Sequence, residues 1–259
     1  MEINNSNYFD VQMMSVSSYK NFVGSYGLNG CEFSGLAKWN REYKQEPNNA
    51  MLIGSYVDSY FSGELDAFKS NNPSIFTTKG ELKSDFKHAE EIIEFAKKDK
   101  LFYSYISGEQ QTIMTGELFG IKWKIKIDSL HKGKAIIDLK VIKSIRELIW
   151  SDKIKTKINF IDYYGYAEQL AVYQEIYKQN TGELLPVFIA AITKEKYPDK
   201  ELIQIPQHRL DDAMLSISDN IERVKSIING TKEVEKCGTC DYCRMNKKLT
   251  STINYLELI

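Results

Sequence analysis

Long apolar runs are missing from this sequence of 259 residues. No stretch approaches the roughly 20 consecutive apolar residues of a membrane-spanning helix, so no membrane association is expected. The opening residues, MEINNSNYFD, carry neither a basic n-region nor an apolar h-region, and the expected compartment is the cytoplasm. A charge excess is missing too. Lys and Arg number 34 against 35 Asp and Glu, for a net charge of −1, so no global field attracts polyanions and any such affinity must come from local patches. Cysteine is scarce, with four residues, and in a reducing compartment a disulfide framework is not expected. Hydrophobic residues at 42% and charged residues at 27% fit an ordinary globular chain, long enough to bury a full core as one domain over residues 1–259.

The most informative stretch runs from Gly116 to Lys140, GELFGIKWKIKIDSLHKGKAIIDLK. Ile121, Trp123, Ile125 and Ile127 alternate with Lys122, Lys124, Lys126 and Asp128, the period of a strand with one apolar face. His131-Lys132-Gly133-Lys134 reads as a turn, and Ala135 to Val141 as a second strand. Asp138 and Lys140 are two apart and share a face, with Ile137 and Leu139 on the other. Pairing the strands brings Asp128 toward Asp138 and Lys140. Two carboxylates offer the hard oxygen ligands that Mg²⁺ prefers, and a lysine beside them orients a water or stabilises charge on a phosphoryl group. The same spacing also suits a solvated hairpin whose charges pair weakly.

Along the chain, Met1 to Gln12 reads as loose. Ser15 to Phe22 reads as a helix start with a Ser cap. Four glycines from Gly24 to Gly35 then interrupt regular structure around Cys31. A helix is expected over Ala50–Phe61, where Gly54 suggests close packing and Asp58 reads as a surface acid. Gly80–Lys100 is amphipathic with Leu82, Phe86, Ala89, Ile92, Ile93 and Ala96 on one face. A strand follows over about 110–118, in which Glu117 is either a ligand or a turn acid. Lys140–Lys157 is rich in Lys and Arg, either a solvated face or a phosphate-backbone contact. Asp162–Gln179 is expected to be one helix with Gln169 and Tyr173 on one face. Two short strands, Pro186–Thr193 and Glu201–Gln207, and a helix over Leu210–Ile228 complete the pattern.

The tail, about 231–259, holds Cys237, Cys240 and Cys243 as C-x-x-C-x-x-C, with Cys31 far upstream and no His nearby. The tight triple spacing with one distant Cys fits a [4Fe–4S] cluster better, with a zinc ion or free thiols as the alternatives. Either metal would clamp the end of the chain to its beginning.

Taken together, these residues resemble the PD-(D/E)-x-K nuclease superfamily, and within it the RecB-like and exonuclease VIII (RecE)-like phage nucleases. The matching features, in order, are Gly54-Ser55-Tyr56-Val57-Asp58, Asp128, Asp138-Leu139-Lys140 and Gln169-x-x-x-Tyr173, with the Ser15–Phe22 stretch and the Cys-rich tail in support. The position of Asp58 is usually His, and a carboxylate there also suits Mg²⁺ or Mn²⁺. The resemblance implies an α/β, restriction-endonuclease-like core, a central mixed β-sheet flanked by helices. It implies metal binding by Asp58, Asp128, Asp138 and Glu117, water positioning by Lys140, and a strand- or lysine-holding role for Gln169 and Tyr173. The implied activity is Mg²⁺-dependent 5′→3′ exonucleolytic resection of double-stranded DNA ends in phage or prophage recombination, with an annealing protein as partner and a homo-oligomer as assembly. A structure-selective endonuclease and a non-catalytic DNA-binding module are the competing expectations.

Overall fold

The computed structural model describes residues 3–258. Among the described residues seven strands form, β1 (Glu109–Leu118), β2 (Ile121–His131), β3 (Ala135–Ile142), β4 (Ile149–Ser151), β5 (Thr156–Ile158), β6 (Val187–Thr193) and β7 (Lys200–Ile205). Five of them make a mixed sheet in the order β1-β2-β3-β6-β7, in which β3 and β6 are parallel and the other neighbours antiparallel; β4 and β5 pair separately. The helices are α1 (Val16–Val23), α2 (Glu32–Trp39), α3 (Asn49–Phe61), α4 (Leu65–Asn71), α5 (Ser84–Lys98), α6 (Lys100–Ile106), α7 (Phe160–Tyr164), α8 (Tyr166–Thr181), α9 (Gln207–Ile228) and α10 (Asp241–Met245). The α/β architecture with a mixed sheet between helices is the one expected.

Alternation divides the core into two layers. Trp123, Ile125, Ile136 and Ile189 pack with α8 and α9, while Ile137, Leu139, Ala190 and Ile192 pack with α3, α5 and α6. The interior strand β6 is buried on both faces, which is why PVFIAAIT reads as one apolar run instead of an alternating one. Among the described residues no helix is long and apolar enough to cross a membrane.

Four local expectations need correcting. The N-terminal segment is packed, with Tyr8 buried and its carbonyl accepting a hydrogen bond from Lys124 Nζ. Gly35 does not break the chain but lies within α2, its Cα against the Phe22 ring. Gly54 has open space where a side chain would project, so close packing does not explain it; it lines a cleft. The Asp162–Gln179 helix is two helices, because Gly165 turns the backbone at φ +66°. A Cβ there would meet Glu168 Oε2 at 3.1 Å, so the break calls for glycine.

One irregularity of the sheet positions everything below. β2 and β3 pair only at Ser129↔Ile137, Leu130↔Ile136 and His131↔Ala135, then part. At the parting point the Asp128 carboxylate, not a backbone carbonyl, accepts the Leu139 N–H at 3.0 Å. Farther along β2 the vacated ladder is taken by Met14, whose N–H donates to the Lys122 carbonyl and whose carbonyl accepts from the Lys124 N–H. The sheet therefore contains a fork with carboxylates at its throat.

Candidate active site

Asp128 on one prong of the fork meets Asp138 and Lys140 on the other. Asp138 is 1% exposed. Its Oδ1 accepts a hydrogen bond from Gln169 Nε2 at 2.7 Å, and the same amide donates to the Tyr173 hydroxyl at 3.1 Å. Its Oδ2 lies 2.6 Å from Lys140 Nζ, a close buried ion pair. Asp58 approaches from α3, and with Asp128 and Lys140 it lines a cleft of about 850 Å³. Lys143, Lys194, Tyr164 and Tyr166 form more of its wall.

The charges sit in an environment that resists ionisation of the acids. Burial first, then Asp138 and Asp58, hold the Asp128 carboxyl well above the usual range. Burial also raises Asp58, against the pull of Lys140 and Lys126. For Lys140 burial works against the charge, but Asp138 and Asp128 outweigh it, so its ammonium is held more firmly than an ordinary lysine's. Tyr173 is pushed up by burial and by the same two acids.

Glu117 is not brought to this site. It is exposed at the far end of β1, opposite Lys122, six residues along β2 from Asp128, or about 20 Å at ~3.3 Å per residue. Proximity to the hairpin in sequence misled, because an extended strand carries neighbours apart quickly. Two residues were not singled out individually. Tyr166 lies under the Lys140 ammonium, 5.0 Å from ring centre to Nζ. Lys20 donates to the carbonyls of Tyr164 and Gly165 at 3.0 and 3.2 Å, and burial followed by Lys140 pushes it down to about 8. The Ser15–Phe22 stretch carried the signal for Lys20; Tyr166 was hidden in an aromatic-rich helix.

Whether these residues suit a divalent ion depends on two observations. Among the described residues, the three carboxylates do not gather their oxygens as tightly as the cysteines gather their sulfurs, and Lys140 stands among them. On the other side, Asp128 and Asp138 offer hard carboxylate oxygens at the throat of the fork, and Mg²⁺ takes one or two carboxylates and keeps waters for its remaining positions. The donor set fits.

The four cysteines converge although they are far apart in sequence. Their sulfurs all lie within 4.8 Å of one another, with Cys31–Cys243 at 3.6 Å and Cys237–Cys243 at 3.9 Å. A tetrahedral ion with metal–sulfur bonds of ~2.3 Å has sulfur–sulfur edges of about 3.8 Å. Backbone N–H groups of Cys240 and Cys243 point at the sulfurs of Cys237 and Cys240. Burial opposes ionisation of Cys237, but these donors and Thr239 bring it down to about 6.

Residues 15–246 match the family model described as a PDDEXK-like domain of unknown function, DUF3799. The chain belongs to this PDDEXK-like family. A crystal structure named "Putative exonuclease" from Eubacterium rectale is 48% identical, covers 100% of this chain and 98% of its own, and superposes with a TM-score of 0.96. A second structure, of SSO0001, is 13% identical over 82% of this chain and 95% of its own with a TM-score of 0.28, too distant to inform the fold. No curated protein matches the sequence.

Proposed function

We propose that this chain is a metal-dependent deoxyribonuclease that removes nucleotides from the ends of double-stranded DNA. The observation that carries the reading is the fork: two carboxylates and a lysine meet at the parting of β2 and β3, facing a cleft walled by further lysines. The Eubacterium rectale protein's printed name supports the exonuclease form of it. The RecE-like resemblance supports 5′→3′ resection feeding an annealing partner in phage or prophage recombination.

In this reading Asp128 and Asp138 hold Mg²⁺ or Mn²⁺, with Asp58 completing the shell from α3. When bound, the ion polarises the scissile phosphate and lowers the pKa of a water. Gln169 fixes Asp138, and its bond to Tyr173 fixes Gln169. Lys140, braced over Tyr166, is held as an ammonium; it orients the attacking water and offsets charge on the phosphoryl oxygens. Lys143 and Lys194 attract the strand into the cleft. In the cysteine site we propose a single tetrahedral ion, zinc, because a cubane with four irons between its thiolates needs them wider apart than they stand.

The deciding experiment offers Mg²⁺ and two substrates. Linear duplex should shorten progressively from an end, while closed-circular duplex of the same sequence stays intact. Cutting of the circle would make the chain an endonuclease, and inertness toward both would remove the reading altogether.

The raised carboxyls make a second expectation. Asp58 and Asp128 are held above the usual carboxylate range, so in the metal-free protein they keep their protons to higher pH. Mg²⁺ must displace those protons, and its affinity should fall as pH drops through the raised range, by about tenfold per unit for each proton released. Calorimetric titrations in two buffers of different ionisation enthalpy would read the proton count directly. A count of zero at the acid end of the range would contradict the placement of the ion between these groups.

A further inference from the structure

A second, smaller cavity of about 140 Å³ lies between the N-terminal segment, α1 and α2. It has room for roughly four or five waters, enough for a phosphate group. Three cations line it, Lys38, Arg41 and Lys124. Their hydrogen bonds go to neutral oxygens. Lys124 donates to the carbonyls of Tyr8 and Val11, Lys38 to the side-chain oxygens of Asn21 and Gln45, and Arg41 to the carbonyl of Asp10. Lys124 is 6% exposed, and besides its two carbonyl partners its ammonium lies over the Tyr8 ring, 4.6 Å from the centre, so no carboxylate among the described residues neutralises it by direct contact. Burial and then Arg41 disfavour its charge, with Asp10 as the acid that favours it. For Lys38 the opposing charges are the thiols of Cys240 and Cys31.

Such an arrangement is costly. A buried cation is ordinarily paired, and three like charges around one small space repel one another. Arg41 also holds a left-handed backbone at φ +62°, rare for a residue with a side chain and kept only where the surroundings enforce it. An anionic group in the cavity, such as the single charge of a phosphodiester, would offset part of this repulsion. At the rim Phe9 is 79% exposed, its ring held edge-on by Tyr8 at 5.3 Å, with Lys126 5.8 Å from its centre. An exposed ring beside a cationic seat is the surface on which single-stranded bases stack. Lys126 also faces Asp58, so a path of positive charge links this seat to the cleft. Lys124 and Asp128 are four residues apart on β2, about 13 Å.

We propose that this cavity seats one backbone phosphate of the nucleic-acid strand that enters the cleft, with the neighbouring base stacked on Phe9. The proposal rests on the nuclease reading and extends it: the strand is gripped at a second phosphate about 13 Å from the carboxylates. The seat sets binding and register, not chemistry.

Two titrations test it, on the full chain with no divalent ion added. Inorganic phosphate should change the fluorescence of Trp39, which lines the cavity, in a saturable way, and Arg41→Gln should weaken that response at least tenfold. Binding of a labelled single-stranded oligonucleotide should weaken in Arg41→Gln and in Lys38→Gln, and the slope of log affinity against log salt should fall by about 0.7, the loss of one phosphate contact. Arg41 is exposed, and an unchanged melting temperature would show that the variant folds. If phosphate quenches Trp39 but the oligonucleotide slope is unchanged, the cavity is a free-anion site and the strand assignment is overturned. An unchanged slope without any phosphate response overturns the whole proposal. Failure of the nuclease reading looks different: with Mg²⁺ added, the wild-type chain would then cleave neither linear nor closed-circular duplex, whatever the two titrations give.

Discussion

Asp138→Asn is expected to lower the rate of DNA hydrolysis by about 10³-fold or more while leaving oligonucleotide binding nearly unchanged. The substitution keeps the shape of the side chain. An amide oxygen can still accept from Gln169, so the Gln169–Tyr173 chain stays in place. What disappears is the charge next to Lys140. The site loses the anion that would hold the metal and the counter-charge that orients the ammonium, and removal of even one hydrogen-bond donor at a developing charge costs about 10²–10³. In the proposed reading DNA affinity would rest instead on Lys143, Lys194 and the cations beyond them, which the change does not touch. The fold should pay a smaller penalty than the chemistry. Breaking a buried ion pair costs about 3–5 kcal/mol when the remaining charge is stranded. Here Asp128 remains beside Lys140 and limits the loss. Single-turnover cleavage, oligonucleotide binding and thermal unfolding read the three quantities separately. Cleavage at the wild-type rate would place the chemistry elsewhere in the molecule.

The same residue shows how far the sequence could be read. Strand alternation in Ile121–Asp128 and the two-residue step from Asp138 to Lys140 are local properties, and they correctly suggested that three charges would meet. The way they meet was not local. The fork exists because Met14 occupies the edge of β2 that β3 leaves, a contact between distant segments that no spacing inside the hairpin encodes. For the same reason the N-terminal residues looked loose: their partners, Lys124 above all, are on a strand far along the chain. Gln169 and Tyr173 were legible as helix neighbours, but that the amide grips Asp138 depends on where α8 crosses the sheet. Glu117 failed in the opposite direction, since closeness in sequence along an extended strand is distance in space. The break at Gly165 was visible as a glycine and unreadable as a left-handed turn until its carbonyls were seen capping Lys20.

Cys243→Ser should release the tail from the body of the protein, and the purified wild-type chain should be colourless with one zinc per molecule. Few apolar contacts hold this segment. Tyr242 is placed between the rings of Phe33 and Tyr43, each 4.8 Å away, and Arg223 bridges Glu32 of α2 to Glu235. The backbone of Glu235 also accepts a hydrogen bond from the Phe33 N–H and donates one to the Glu32 carboxylate, and the sulfur cluster adds a further tie, in which Cys31 and Cys243 are buried while Cys237 is exposed. Metal binding to four such thiolates is folding energy, worth about 10–16 kcal/mol in isolated zinc-finger peptides. In this protein the ion would bring only the tail and α2 together, because the sheet and its two cores do not depend on it. The expected effect is therefore regional. Cleavage by a protease near residues 231–236 should rise sharply in Cys243→Ser, less in Cys237→Ser, while the fragment containing the sheet stays resistant. A brown preparation absorbing broadly near about 400 nm would instead identify iron. It would mean that the sulfurs stand farther apart in the loaded protein than 4.8 Å. A tail equally resistant with and without its thiolates would show that the aromatic and ionic contacts suffice, and that the cysteines hold no ion at all.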